Sequence, residues 1–149
     1  MIAPAILHSL FVESYTKLKD ITKDVTHDDS VQSPLPGTNC MHWIVGHIVV
    51  ARCNFLMLFD TPSIWDWPTC ELFIPGSAPT PAAADHISFA ALLADLDRTQ
   101  DQLLTALAIA TRADLETVRE GQTIGEKLAT YAAHESYHAG QLEILRQGL

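Results

Sequence analysis

Four stretches of this sequence carry apolar residues at three- and four-residue spacing, the periodicity of one helix face, and this feature most constrains the fold. They cover about residues 6–25, 39–59, 88–107 and 123–148. Asn39 is the predicted N-cap of the second helix, and Thr123 with Glu126 forms a predicted capping box for the fourth. Gly148 suits the end of the fourth helix. The pattern predicts an all-α fold.

A long connection separates the second and third predicted helices. Five prolines between residues 61 and 86 argue against regular helix there. The same segment holds Trp65, Trp67 and Phe73, which we expect to pack back on the protein, with a lid over a pocket as the alternative. Four helices with one long crossover predict a single-domain four-helix bundle over residues 1–149, and such bundles build metal sites from facing helices.

Composition bears on the kind of partner and on the compartment. Eighteen acidic and nine basic residues give a formal charge of −9, so we predict no nucleic-acid partner. The three cysteines, Cys40, Cys53 and Cys70, are odd in number and lack C-x-x-C spacing, which favours a reducing cytoplasm. The first ten residues have no basic region, and no apolar run approaches the ~20 residues of a membrane span. We therefore expect neither a signal peptide nor a membrane partner.

The fourth helix contains the H-E-x-x-H string His134-Glu135-Ser136-Tyr137-His138. Histidines four apart on a helix lie one turn apart on the same side, so both can bind one metal ion. The string usually indicates a zinc peptidase with the glutamate as base. However, Gln141 and Ile144 stand where one peptidase pattern has Gly and His, and the chain ends at Leu149, before the downstream ligand of the other. We expect an upstream third ligand and no peptidase activity.

Five upstream histidines compete for the third ligand position. His47 is the best placed, because it lies in the apolar run 43–50 and Gly46 beside it would let another backbone approach. His42 points about 140° away from His47 around the helix, so we expect His42 to be exposed and only His47 to face the core. The other three lie near helix ends or in a polar loop: His8, His27 and His86.

The run Trp43-Ile44-Val45-Gly46-His47-Ile48 and the run from His134 to Gln141 (H-E-S-Y-H-A-G-Q) together resemble the DinB-like superfamily. That superfamily of four-helix bundles is similar to the bacillithiol S-transferases and the mycothiol-dependent maleylpyruvate isomerase. The resemblance covers essentially the whole chain, including helix order and the crossover between helices two and three. It implies a divalent metal, Zn or Ni with Fe also suited, bound by His47, His134 and His138. It also implies frequent homodimers.

The resemblance implies an activity class but leaves open whether the chain is catalytic. We expect a divalent-metal-binding protein that acts on a small molecule as a thiol S-transferase, or as a related hydrolase or isomerase, with a low-molecular-weight thiol as partner. The alternative is a non-catalytic, stress-associated metal-binding protein. Arg52 and Arg146 are candidates to bind a carboxylated cosubstrate.

Four further residues lie near the predicted ligands. Glu135 is rotated about 100° from His134, and three roles stay open for it: orienting a ligand, acting as a base, or forming a surface ion pair. Asn54, Tyr131 and Gln141 are candidate pocket residues, and Gln141 is placed to hydrogen-bond a ligand. Ordinary packing is the competing expectation for Asn54, Tyr131 and Gln141, with a cap-like role also open for Asn54.

Overall fold

The computed structural model describes residues 2–77 and 81–149, and these residues are mainly helical. The helices are α1 (Pro4–Thr22), α2 (His27–Ser30), α3 (Met41–Leu56), α4 (Trp67–Glu71), α5 (Pro81–His86), α6 (Phe89–Ile109), α7 (Arg112–Glu116) and α8 (Ile124–Arg146). A 3₁₀ turn, Met57–Phe59, follows α3, and β1 (Val118–Arg119) pairs antiparallel with β2 (Gln122–Thr123). The predicted all-α class is confirmed.

The four long helices form the bundle. Helix α1 packs against α8 and α6, and α3 packs against the same two helices from the other side. Each long helix therefore has two long neighbours, in the ring order α1, α8, α3, α6. This order places α3, which carries His47, beside α8, which carries the H-E-x-x-H string.

Side-chain caps begin two of the long helices, α6 and α8. The predicted capping box of α8 is present, with Thr123 and Glu126 each bonding the other's backbone N–H. The predicted cap of α3 is wrong: this helix begins after Cys40, and Cys40 makes no side-chain cap bond. Cys40 has the extended backbone that a cap position requires and is itself buried, so packing fixes the start of α3.

Helix α3 is covered on nearly every side. Of its sixteen residues, all but Asn54 are buried. The expectation that His42 is exposed is therefore wrong: the crossover and the start of α6 cover that face, and His42 Nε2 lies 2.8 Å from the carbonyl oxygen of Ile87. Burial lowers the pKa of His42. Helix α3 buries one face against the bundle and the opposite face under the crossover, so two histidines about 140° apart are both buried.

The segment Met41–Phe59 is long and apolar enough to cross a membrane by length and composition alone, with a mean hydropathy of 1.4. This corrects the expectation that no apolar run approached the required length. However, 78% of its most apolar window is buried inside the protein. The burial of α3 between its neighbouring helices and the crossover accounts for that apolar character.

The crossover contains helix, contrary to the prediction. Pro68 lies in the first turn of α4 and Pro81 opens α5, positions where a missing N–H costs no hydrogen bond. Phe73 is fully buried and Trp65 packs on it with ring centroids 5.5 Å apart, whereas Trp67 is 63% exposed. The crossover thus packs back through two of its three aromatic residues. Residues 78–80 lie outside the described part of the chain.

Two hydrophobic clusters fill the bundle, and each takes residues from all four long helices. The loop-side cluster includes Phe73 together with Leu18, Ile48, Leu96 and Leu142. The hairpin-side cluster includes Leu7, Phe55, Leu103, Leu115 and Leu128. Near the boundary between the two clusters, each long helix contributes one or two buried polar side chains. These side chains form the polar layer: Ser14, Arg52, Thr99, Gln100 and Glu135.

Candidate metal centre

Three histidine side chains from two helices converge beside the loop-side cluster. His47 comes from α3, His134 and His138 come from α8, and their ligand atoms lie within 4.8 Å of one another. Nε2 of His134 is 3.1 Å from Nε2 of His47 and 3.0 Å from Nε2 of His138. Two nitrogens bound tetrahedrally to zinc lie about 3.3 Å apart. The structure therefore brings together the three residues that the resemblance implied, at the spacing of a metal site.

The crossover fixes the orientation of the first histidine. Nδ1 of His47 lies 2.7 Å from the carbonyl oxygen of Phe73. Because a carbonyl only accepts hydrogen bonds, Nδ1 carries the proton and Nε2 presents a lone pair to the cluster. The ring of Trp43 stacks on the imidazole with centroids 4.9 Å apart and planes 11° apart, which restrains ring rotation.

A side-chain amide fixes the orientation of the second histidine. Nδ1 of His138 lies 2.7 Å from Oε1 of Gln141, while Nε2 of Gln141 donates to the hydroxyl of Tyr137 at 3.0 Å. In this arrangement Nδ1 of His138 donates and Nε2 again presents a lone pair to the cluster. The structure thus places Gln141 in hydrogen-bond contact with a predicted ligand and outside the cluster itself.

The third histidine decides whether a cation fits. The lone pairs of His47 and His138 both point at Nε2 of His134, and a neutral imidazole carries one proton, so His134 cannot donate well to both. Nδ1 of His134 is buried without a hydrogen-bond partner among the residues that the structure describes. A divalent ion between the three nitrogens would satisfy all three lone pairs at once. The donor set therefore fits a metal better than it fits a hydrogen-bond network.

Burial keeps these imidazoles neutral, which is the form that binds a metal. Loss of hydration lowers the pKa of His47 against the opposing hydrogen bond to Phe73. The pKa of His134 is lowered by burial and then by His47. Burial likewise lowers the pKa of His138 to about 4. His47 and His138 are nearly fully buried, while His134 is half-buried.

The glutamate of the H-E-x-x-H string lies in the polar layer. Both Glu135 and Arg52 are fully buried, with Arg52 Nε 2.7 Å from Oε1 and Arg52 Nη2 3.0 Å from Oε2. The hydroxyl of Ser14 donates to Oε2 at 2.5 Å. One of the three roles considered for Glu135 was a surface ion pair. Glu135 does form an ion pair, but that pair is buried. Arg52 is equally unable to meet a cosubstrate, because the bundle encloses it.

Two candidate pocket residues lie away from the cluster. Asn54 is exposed near the end of α3. It follows His47 by seven residues, which places it about 10 Å farther along the helix and away from the histidine cluster. Tyr131 packs with the hairpin-side cluster, its ring 5.0 Å from the ring of Phe55, and burial raises its pKa. The structure thus places neither residue among the histidines.

Three contacts at the site were not identified from the sequence. They are the carbonyl of Phe73 on His47, the stacking of Trp43, and the pair of Arg52 with Glu135. Only Gly46 gave a signal, as a point of close approach, and there the Phe73 ring, not another backbone, occupies the space. A backbone carbonyl that comes from a distant loop leaves no mark in residue spacing.

The sequence matches the family model of the DinB superfamily over residues 10–142, a span that includes all three histidines and the polar layer. None of the curated proteins matches the chain.

Proposed function

The chain belongs to the DinB superfamily, and we propose that it is a metal-dependent enzyme of the thiol S-transferase type acting on a small molecule. In this proposal His47, His134 and His138 hold one divalent ion, Zn or Ni. One observation carries it: three imidazoles present Nε2 to a common point, with Nδ1 of two of them already bonded outward. Three neutral ligands leave at least one coordination position open, as in catalytic and not structural sites.

A divalent ion bound there would supply Lewis acidity, lowering the pKa of a thiol or water that it binds and polarising a carbonyl. The protein's own groups hold the ligands. Phe73 and Gln141 keep two imidazoles in the required tautomer, and Trp43 restrains the first of them. Tyr137, which is 64% exposed with its ring 5.1 Å from that of His138, marks the accessible side, where substrate would approach.

The surroundings of the site bear on the cosubstrate. The sequence offered two arginines to bind a carboxylated cosubstrate, and Arg52 is enclosed by its pair with Glu135. Arg146 remains as the candidate, half-buried in the last turn of α8. We propose a low-molecular-weight thiol as cosubstrate. Free, buried cysteines at positions 40, 53 and 70 support a reducing, cytoplasmic setting. The homodimer stays a prediction, which sedimentation of the purified protein tests.

The first test is elemental analysis of untagged protein, with His47→Ala, His134→Ala and the exposed-site control His86→Ala. We expect about one metal per chain in the wild type and the control, and loss of the metal in both ligand variants. A wild type that stays metal-free after incubation with Zn or Ni would contradict the proposal.

The second test separates an enzyme from a metal-binding protein. Zn-loaded and Ni-loaded protein is incubated with cysteine or glutathione and an alkylating electrophile, and loss of free thiol is followed. Turnover that disappears in His134→Ala supports the transferase. A fully loaded protein without turnover on any thiol favours the non-catalytic alternative.

A further inference from the structure

The glutamate of the H-E-x-x-H string and the helix that carries His47 are joined by the one ion pair that is wholly buried in the described residues, Arg52 with Glu135. Arg52 follows His47 by five residues on α3, and Glu135 directly follows His134 on α8. The guanidinium contacts the two carboxylate oxygens through two different nitrogens, at 2.7 and 3.0 Å. This paired contact fixes both distance and orientation, unlike a single hydrogen bond.

The pair is tied to the other two long helices. A third guanidinium nitrogen, Nη1 of Arg52, donates to the carbonyl oxygen of Leu96 on α6 at 3.1 Å, and Ser14 on α1 donates to the carboxylate. The guanidinium carbon also lies 5.9 Å from the ring centroid of Tyr15 on α1. All four long helices therefore meet at this one ion pair.

The position of the layer gives the pair its significance. On α1, α6 and α8 the polar-layer residues lie between the two hydrophobic clusters, as with Ser14 between Phe11 and Leu18 on α1. On α3, Arg52 lies one residue before Cys53, the last loop-side residue of that helix. Apolar contacts are non-directional, so they specify one relative setting of two helices less strictly than paired charges do. A buried ion pair permits one register only, because any other register leaves a charge unpaired.

Metal coordination demands that kind of register. Distances from a metal to its ligands must hold to about 0.2 Å, whereas a shift of α8 by one residue moves its side chains about 1.5 Å and turns them about 100°. Two ligands lie on α8 and one on α3, so the site exists only in one relative setting of the two helices. We propose that Arg52 and Glu135 are positioning residues, which set α8 against α3 so that the three histidines converge.

This inference rests on the proposed metal site, and it assigns the H-E-x-x-H glutamate to a role other than base. It differs from a purely structural role in one respect. Replacing a buried ion pair by apolar side chains of similar size often leaves stability unchanged or higher. A structural role alone then predicts normal metal binding once the protein is folded, whereas a positioning role predicts impaired binding in a stable protein.

The experiment compares wild type with the double variant Arg52→Met/Glu135→Leu, using Zn²⁺ affinity by chelator competition and the absorption spectrum of bound Co²⁺. The matched control is Leu128→Ala, a fully buried residue of α8 in the hairpin-side cluster. We expect the double variant to unfold cooperatively, to bind Zn²⁺ at least about tenfold more weakly, and to give an altered Co²⁺ spectrum. The control should lose stability but keep the wild-type affinity and spectrum.

The outcomes separate the two proposals. A folded double variant with wild-type affinity and spectrum overturns the positioning role and leaves the metal site standing. Wild-type protein that binds neither Zn²⁺ nor Co²⁺ overturns the metal site itself. If the double variant does not fold, Arg52→Lys decides, since it keeps the charge but loses the paired contact: we expect weaker Zn²⁺ binding, and an unchanged affinity and Co²⁺ spectrum overturn the positioning role.

Discussion

The backbone carbonyl of Phe73 accepts a hydrogen bond from Nδ1 of His47 at 2.7 Å, across 26 residues of sequence. This contact makes the crossover part of the candidate metal centre, because it sets the tautomer and the ring orientation of His47. The ring of Phe73 is seated on Gly46, where a Cβ atom would overlap it. The absence of a side chain at Gly46 therefore lets Phe73 pack there and bring its carbonyl oxygen to His47.

We predict that Gly46→Ala displaces Phe73 and with it the acceptor of His47. Overpacking should lower the free energy of unfolding by about 1–3 kcal/mol, and Zn²⁺ affinity should fall about tenfold. Denaturant unfolding and chelator competition measure the two effects. Gly140→Ala is the control, since nothing lies within 4 Å of its Cβ position. It should leave Zn²⁺ affinity unchanged and raise the free energy of unfolding by up to about 1 kcal/mol, because alanine has the higher helix propensity. Equal metal affinity in both variants would contradict the coupling.

Gln141 should control metal affinity through His138. Gln141→Leu removes the acceptor of the Nδ1 proton, so the imidazole loses its fixed tautomer and Zn²⁺ binding should weaken about 10- to 100-fold. Gln141→Glu keeps an acceptor oxygen and should bind within a few-fold of wild type. Chelator competition on both variants checks this, and the idea fails if the leucine variant binds as tightly as the wild type.

We predict that Glu135 stabilises the fold through its ion pair with Arg52. Glu135→Gln leaves the Arg52 guanidinium buried without its counter-charge, so the free energy of unfolding should fall by about 3–5 kcal/mol. If the ion pair contributed nothing to stability, the same change would leave the free energy of unfolding at the wild-type value. Denaturant titration of Glu135→Gln beside the exposed control Glu143→Gln distinguishes these results.

The metal-free protein should lose stability as the pH falls. Burial lowers the pKa of His138 to about 4, below its value near 6.5 in an unfolded chain, and His42, His47 and His134 shift in the same direction. Unfolded protein therefore binds more protons between these values, so stability is complete above about pH 6.5 and declines toward pH 4. For His138 alone, protonation lowers the free energy of unfolding by about 3 kcal/mol between neutral pH and a pH below its folded-state pKa.

Denaturant unfolding in the presence of a chelator, at a series of pH values from about 7 to about 5, measures this decline. His138→Gln should reduce the slope, because it removes the most strongly shifted group. A free energy of unfolding that stays level across the range would show that the histidines are hydrated in the folded state.

The sequence predicted the four long helices and the grouping of the three histidines better than the surroundings of those histidines. The apolar period gave the four long helices, and the capping box at Thr123 gave the start of α8, because both are local properties of the chain. The predictions of an N-cap at Asn39 and of an exposed His42 were wrong. The start of α3 is buried, and the residues that cover it come from the crossover and α6. Arg52 and Glu135 each looked like separate polar residues, and only their meeting across the bundle explains them.

The sequence by itself determined the four long helices and the shared helix face of His134 and His138, since both follow from residue spacing within one helix. Tertiary structure decided the rest: that His47 meets them, that Phe73 and Gln141 hold the tautomers, and that Glu135 is enclosed with Arg52. The physical reason is range. Helix periodicity follows from neighbours a few residues apart, whereas desolvation and ion pairing depend on which distant segments exclude water from a side chain.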